Sequence, residues 1–287
     1  AARFIEVLYR QYGLEPLFGG SFYQPFIADS LSGTCGRNVV GIVRSAVPSD
    51  EYVLISAHYD HLGILNGNVY NGADDNASGV TVLLNLADML GTMKKTRTGP
   101  DKNIIFAALD AKELNMAGSK ALVDKLVRKE PGETGRHPSS KTAPDSTKSA
   151  TSNPAFQGIP RNSIICAINI DQIGTVIEPV HETDTSFVIV LGEQTLRRQD
   201  RGLIDMCNRY YHLGLDIDYT FYGSENFTRL FYQLSDQIVF HEAGIPALVF
   251  TSGFHRHTYK TTDDPDIISY PIMKKRTLLI FYLTMML

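Results

Sequence analysis

Cysteine is scarce in this chain, and the three present, Cys35, Cys166 and Cys207, form an odd number without the paired spacing of a zinc finger. Neither a disulfide framework nor a cysteine metal site is indicated. Cys166 lies in an apolar run and reads as a small core residue. An excess of basic charge is also lacking: 27 Lys and Arg stand against 31 Asp and Glu, a formal net charge of -4. That balance gives no electrostatic reason to expect nucleic acid. The clusters Lys94-Lys95 with Arg97 and Lys274-Lys275-Arg276 read as solvated helix ends or faces. No apolar run is long enough to span a bilayer, and the longest, Leu278 to Leu287, has the length of a buried helix.

What is present is enough chain, 287 residues, for one large α/β domain with a full core. Phe4, Ile5, Leu8, Tyr9 and Tyr12 share one face of a helix over residues 2–12 that Gly13 ends. Extended runs follow at Tyr23 to Ile27, Asn38 to Val43 and Tyr52 to Ala57, and their short connections predict antiparallel neighbours. Val80, Leu83, Leu84, Ala87 and Leu90 predict a helix closed by Gly91. Lys102 to Leu109 predicts a strand, followed by a polar turn and a helix through Val127. Further strands are expected at Ile164 to Ile170, Phe187 to Leu191 and Pro246 to Thr251, with helices from about Gln194 to His212 and from Pro271 to Leu287. Between residues 130 and 162 Pro, Ser, Thr, Lys and Gly crowd together, which predicts a surface loop inserted in a single domain of residues 1–287. Helices alternating with fully apolar strands predict a three-layer α/β sandwich with a mostly parallel, mixed central sheet. Ligands in such folds bind outside the carboxyl ends of the strands.

Several metal-ligating side chains fall at those ends. His58 and Asp60 close one strand, Asp74 precedes a helix, and Glu113 and Asp171 follow two further strands. An imidazole among carboxylates suits zinc or another divalent first-row metal. Asp60, two residues beyond His58, can hold the ring's other nitrogen, while Asp74 supplies an oxygen able to bridge ions.

The combination of Asn38-Val39-Val40-Gly41, Ser56-Ala57-His58-Tyr59-Asp60, Gly72-Ala73-Asp74-Asp75-Asn76-Ala77-Ser78-Gly79, Asp110-Ala111-Lys112-Glu113-Leu114, Asn169-Ile170-Asp171 and Gly244-Ile245-Pro246-Ala247 resembles the co-catalytic di-zinc aminopeptidase family. That group includes bacterial leucyl aminopeptidases, glutamate carboxypeptidase, glutaminyl cyclases and the transferrin receptor. The resemblance implies a zinc-exopeptidase fold, with His58 and Asp171 on one zinc, Asp74 bridging, and Glu113 with a C-terminal His on the second. It also implies a cis peptide from Asp74 to Asp75 and a secreted or periplasmic protein.

Two departures bear on activity. The family's general base, a Glu immediately before the ligand Glu, is here Lys112. A protonated lysine donates and cannot accept a proton. The family's last zinc-ligating His stands four residues before an Asp, and that register places Tyr259 there. A phenol is a poor ligand near neutral pH, since its own pKa is about 10. His257 can substitute if the loop shifts by two residues, with His255 the more distant choice. Gln237 stands where the family often has His.

The expectation is therefore one zinc held firmly by His58, Asp74 and Asp171, with a weak or empty second site. Peptidase activity is expected to be impaired or absent, leaving a homologue that binds a peptide or protein. Two alternatives are an active zinc aminopeptidase, in which metal-activated water attacks the peptide carbonyl, and a single-zinc enzyme like a glutaminyl cyclase. His61 and His241 read as surface or supporting groups. Asn226-Phe227-Thr228 matches a glycosylation sequon, and the match at Asn76-Ala77-Ser78 inside the site motif reads as chance.

Overall fold

A computed structural model describes residues 1–128, 156–177 and 185–287. Most of the expected insertion at 130–162 lies outside the described residues. In chain order the elements are α1 (Ala2–Tyr12), β1 (Glu15–Pro16), β2 (Tyr23–Asp29), β3 (Thr34–Val43), β4 (Tyr52–His58), β5 (Gly63–Leu65), β6 (Asn68–Tyr70), α2 (Gly79–Lys95), β7 (Asn103–Leu109) and α3 (Ala117–Leu126). They continue as β8 (Ile164–Ile170), β9 (Phe187–Leu191), α4 (Leu203–Tyr210), β10 (Asp216–Asp218), α5 (Glu225–Tyr232), α6 (Gln237–Glu242), β11 (Ala247–Thr251) and α7 (Tyr270–Met286).

Nine strands form one sheet in the order β1-β3-β7-β4-β8-β11-β9-β10, with β2 also paired to β3. The centre, β7-β4-β8-β11, is parallel. β3 runs antiparallel to β7, and β9 antiparallel to β11. The strands read as continuous apolar runs because both faces are covered. Successive residues alternate sides: Val53, Ile55 and Ala57 join the core under α1, α2, α4 and α7, whereas Leu54 joins the opposite core with Leu122 and Leu126 of α3 and Phe240 of α6. Helix, sheet and helix layers thus match the expected three-layer mixed architecture. No helix among the described residues is long and apolar enough to cross a membrane.

Three local expectations need correction. β2 and β3 are antiparallel neighbours, but β7 separates β3 from β4. Gly91 does not end α2, which continues to Lys95. A Cβ at Gly91 would lie 2.3 Å from the Tyr12 carbonyl oxygen, so this glycine permits the close approach of the end of α1. The long helix expected over 194–212 survives only as α4. Gly202 takes the left-handed region at φ 82, and Arg197 pairs ahead of it with Asp200 and Glu51, so the chain enters α4 from a braced turn. The short α5 and α6, β10 and the β5–β6 hairpin had no separate expectation.

Candidate metal centre

The parallel strands β4, β7 and β8 deliver their last residues to one edge of the sheet. His58 ends β4, Lys112 and Glu113 lie just past β7, and Asp171 directly follows β8. His58 is fully buried, with Nδ1 3.1 Å from the Asp60 carbonyl oxygen. A carbonyl only accepts, so Nδ1 carries the proton and Nε2 faces the site. Nε2 lies 3.3 Å from Asp171 Oδ1 and 3.4 Å from Asp75 Oδ1. Burial disfavours a charged imidazole, but the Asp171, Asp60 and Asp75 carboxylates outweigh it and raise the His58 pKa well above its ordinary value. The Asp60 carboxylate serves the neighbouring loop, accepting the backbone N–H groups of Lys112 and Glu113 at 3.0 Å each.

Asp75, not Asp74, stands beside His58. Asp75 is 0% exposed, and neither carboxylate oxygen has a hydrogen-bond partner among the described residues. Asp74 turns the other way: Oδ1 accepts the Gly174 N–H at 2.7 Å, and Oδ2 lies 3.0 Å from His255 Nε2. Its lone pairs are committed to holding two loops together. The cis peptide expected at Asp74–Asp75 occurs one residue later, at Asp75–Asn76.

Lys112 is 8% exposed and reaches into the carboxylate cluster. Its ammonium donates to Glu113 Oε1 at 3.2 Å and to Tyr259 Oη at 3.3 Å, with Asp171 Oδ2 at 3.9 Å. Burial opposes its charge, yet Asp171, Asp75 and Glu113 hold it protonated far above the ordinary lysine range. Asp171 is shifted the opposite way. Burial alone would raise its pKa, but Lys112 and His58 drive it well below the usual carboxylate range.

Tyr259 reaches this cluster through its hydroxyl. His257 does not: Nδ1 pairs with Thr262 Oγ1 at 2.8 Å, and Nε2 accepts from Arg256 at 3.2 Å. His255 cannot serve either. Nδ1 accepts the His257 N–H, which leaves Nε2 to donate to Asp74. The two-residue shift that would bring His257 in as a substitute is not seen: hydrogen bonds to Thr262 and Arg256 occupy both of its ring nitrogens.

Sequence reasoning missed the supports behind these groups. Ser235 donates to Asp171 Oδ2 and accepts from Asn169 Nδ2, whose side-chain oxygen accepts from Ser56. Asp263 accepts the N–H groups of Asp74 and Asp75 at 2.8 and 3.0 Å. For Ser56 and Asn169 the sequence signal is a polar residue within an otherwise apolar strand, whereas Ser235 and Asp263 lie in loops.

A divalent ion fits this donor set. Ligands about 2.0–2.1 Å from a tetrahedral zinc lie about 3.3–3.4 Å apart, the spacing His58 Nε2 makes with Asp171 and Asp75. The orphaned buried Asp75 carboxylate also calls for a cation. Ligand atoms of His58, Asp75 and Glu113 lie within 4.8 Å of one another, the one grouping of three such side chains found among the described residues, and the Lys112 ammonium reaches Glu113 at its side.

The fold and donor set together define an α/β scaffold of the zinc-peptidase class, with an imidazole and carboxylates at the carboxyl edge of its sheet. A family model described as peptidase family M28 matches residues 38–284, and the chain belongs to that family. Over 111 residues it is 33% identical to aminopeptidase NAALADL1 of Mus musculus, a stretch covering 38% of this chain but 14% of that protein. BSAP, a zinc aminopeptidase from Bacillus subtilis, shares the fold at TM-score 0.60 and 20% identity, covering 88% of this chain and 50% of that one. A glutaminyl cyclase of Bacteroides thetaiotaomicron does so at TM-score 0.62 and 16% identity, covering 98% and 87%. Family M28 normally uses zinc, and the shared fold spans different chemistries.

Proposed function

We propose that this chain is an M28-family protein that holds one zinc ion through His58, Asp75 and Asp171, and that it binds peptide or protein ligands with little or no peptidase activity. The observation that carries this reading is the Lys112 ammonium, 3.2 Å from Glu113 Oε1 and 3.9 Å from Asp171 Oδ2. A resident cation there neutralises carboxylate charge that a second divalent ion would otherwise balance, and the two cations would repel.

When bound, zinc supplies a Lewis acid that polarises a ligand oxygen. The protein's own groups then decide how that ligand is held and whether it reacts. His58 is oriented by the Asp60 carbonyl, and Asp171 by Ser235. Lys112 and Tyr259 can position a ligand by donation. With Lys112 protonated by its carboxylate neighbours, it offers no lone pair for general-base work. Glu113, bound to Lys112 and held by Asp60 through its backbone, remains a weak second-site donor.

The test is hydrolysis of aminoacyl anilides with zinc present, comparing the unmodified chain with the paired substitutions Lys112→Glu and Tyr259→His. Negligible turnover by the unmodified chain, with measurable turnover only in the double variant, supports the proposal. Chelator-sensitive turnover by the unmodified chain at ordinary enzyme rates contradicts it.

A further inference from the structure

The hairpin β5–β6 stands apart from the main sheet as a two-stranded sheet of its own. Its turn is Asn66-Gly67, both in the left-handed region at φ 51 and φ 79, the backbone of a tight two-residue connection. The ends are rooted beside the metal centre: His61 stacks parallel to Tyr259 with ring centroids 6.1 Å apart, and Gly72 leads into the loop that carries Asp75. The hairpin itself faces solvent. Gly63, Ile64 and Leu65 are all exposed, Ile64 at 71%, whereas Tyr70 at the end of β6 is half-buried. β6 thus rests against the body of the protein through Tyr70, and β5 presents the free edge.

The register fixes which backbone groups that edge offers. A two-residue turn makes Leu65 and Asn68 a hydrogen-bonded pair, so the next pair, Ile64 and Val69, points its N–H and C=O groups away from the hairpin on either side. No other segment among the described residues bonds the Ile64 N–H or C=O. Open edges are ordinarily guarded by charge, Pro or a bulge. None guards this one: residues 61–72 contain no Lys, Arg, Asp, Glu or Pro, and the β5–β6 register is unbroken.

We infer that β5 pairs edge to edge with β5 of a second copy of this chain, about a two-fold axis at Ile64, to make a four-stranded antiparallel sheet. The edge is self-complementary. With Ile64 opposite Ile64 of the partner subunit, each N–H donates to the other's C=O, and all four outward groups are satisfied at once. Gly63 of each copy then faces Leu65 of the partner subunit, and the space over Gly63 is open, with nothing within 4 Å of where a Cβ would stand. Two uncharged edges meet without repulsion, while a charged partner would find no opposite charge. Three residues per edge bury less than the roughly 1,200 Å² of a standard stable interface. The pairing is therefore reversible, with a dissociation constant on the order of 100 µM.

Sedimentation equilibrium of the zinc-loaded protein, from about 5 µM to about 1 mM, is expected to show a monomer–dimer equilibrium. Ile64→Lys sets like charges across the axis on a side chain already exposed, and should weaken the dimer by about tenfold or more with zinc content unchanged. Cross-linking reads the register, in a Cys35→Ser background because Cys35 is an exposed thiol. Ile64→Cys should form a disulfide-linked dimer on mild oxidation, since facing residues of a hydrogen-bonded pair stand about 5.5 Å apart at Cα. Leu65→Cys should link at least about tenfold more slowly, because the two copies of that position lie beyond the roughly 7 Å that a disulfide spans. A monomer at every concentration, which would leave the edge to an extended peptide, overturns the inference. So does a dimer indifferent to Ile64→Lys, or one in which Leu65→Cys or Val69→Cys links as fast as Ile64→Cys.

Discussion

Asp74 and Asp75 are adjacent carboxylates of the same chemistry, and the fold turns them to opposite tasks. Asp75 faces His58 without a hydrogen-bond donor, whereas Asp74 ties Gly174 to His255. Asp75→Asn should therefore lower zinc affinity by about 100-fold or more, read by competition with a chromogenic chelator. Asp74→Asn should keep the zinc stoichiometry and cost about 1–2 kcal/mol of stability in denaturant titration. Comparable affinity losses for both would contradict the assignment. The local sequence cannot separate these two residues, because the partners that claim Asp74 come from 100 and 181 positions away. Asp236 offers an independent check. Burial, against the opposing pull of His58, pushes its carboxyl up to about 6. A group that binds its proton more tightly when folded adds stability below its unfolded pKa, about 3.9, and loses it as pH rises through about 6. In metal-free protein Asp236→Asn should thus add about 2–3 kcal/mol at pH 8 and little at pH 4, measured calorimetrically. A gain independent of pH would contradict a buried, strained ionisation.

The loop after β11 and the acidic loop before α2 grip one another at two points. Asp263 accepts two backbone N–H groups of the acidic loop, and Asp74 returns a carboxylate to His255. Asp263→Ala would leave both N–H groups without this acceptor, at a cost of about 2–4 kcal/mol. Amide exchange at Asp74 and Asp75 should quicken by the same substitution, whereas exchange in β4 and β8 should quicken only as far as global stability falls. Equal protection at Asp74 and Asp75 in both proteins would rule out the clasp. At this scale much was legible in the sequence: the apolar runs of β4, β7 and β8 follow from burial on both faces, and their ends mark the site. The missed features depend on contacts between distant segments. Nothing local announces that β7 separates β3 from β4, that Gly91 admits α1, or that paired hydrogen bonds keep His257 away from the metal centre.

For the molecule as a whole, the metal-free site stores positive charge on His58 and Lys112 among buried carboxylates. Zinc competes with the His58 proton. Because the His58 pKa is raised in the metal-free protein, binding near pH 7 should release about one proton per ion, and affinity should climb with pH until His58 deprotonates unaided. Calorimetry in buffers of different ionisation enthalpy reads that proton, and a pH-independent affinity would contradict the stored charge. The Lys112 cation remains after His58 has yielded its proton, and its position among Asp171, Asp75 and Glu113 limits how many further charges the centre accepts. Elemental analysis after zinc saturation and desalting reads that limit in one number: one zinc per unmodified chain is predicted, and two tightly held zincs per unmodified chain would contradict it.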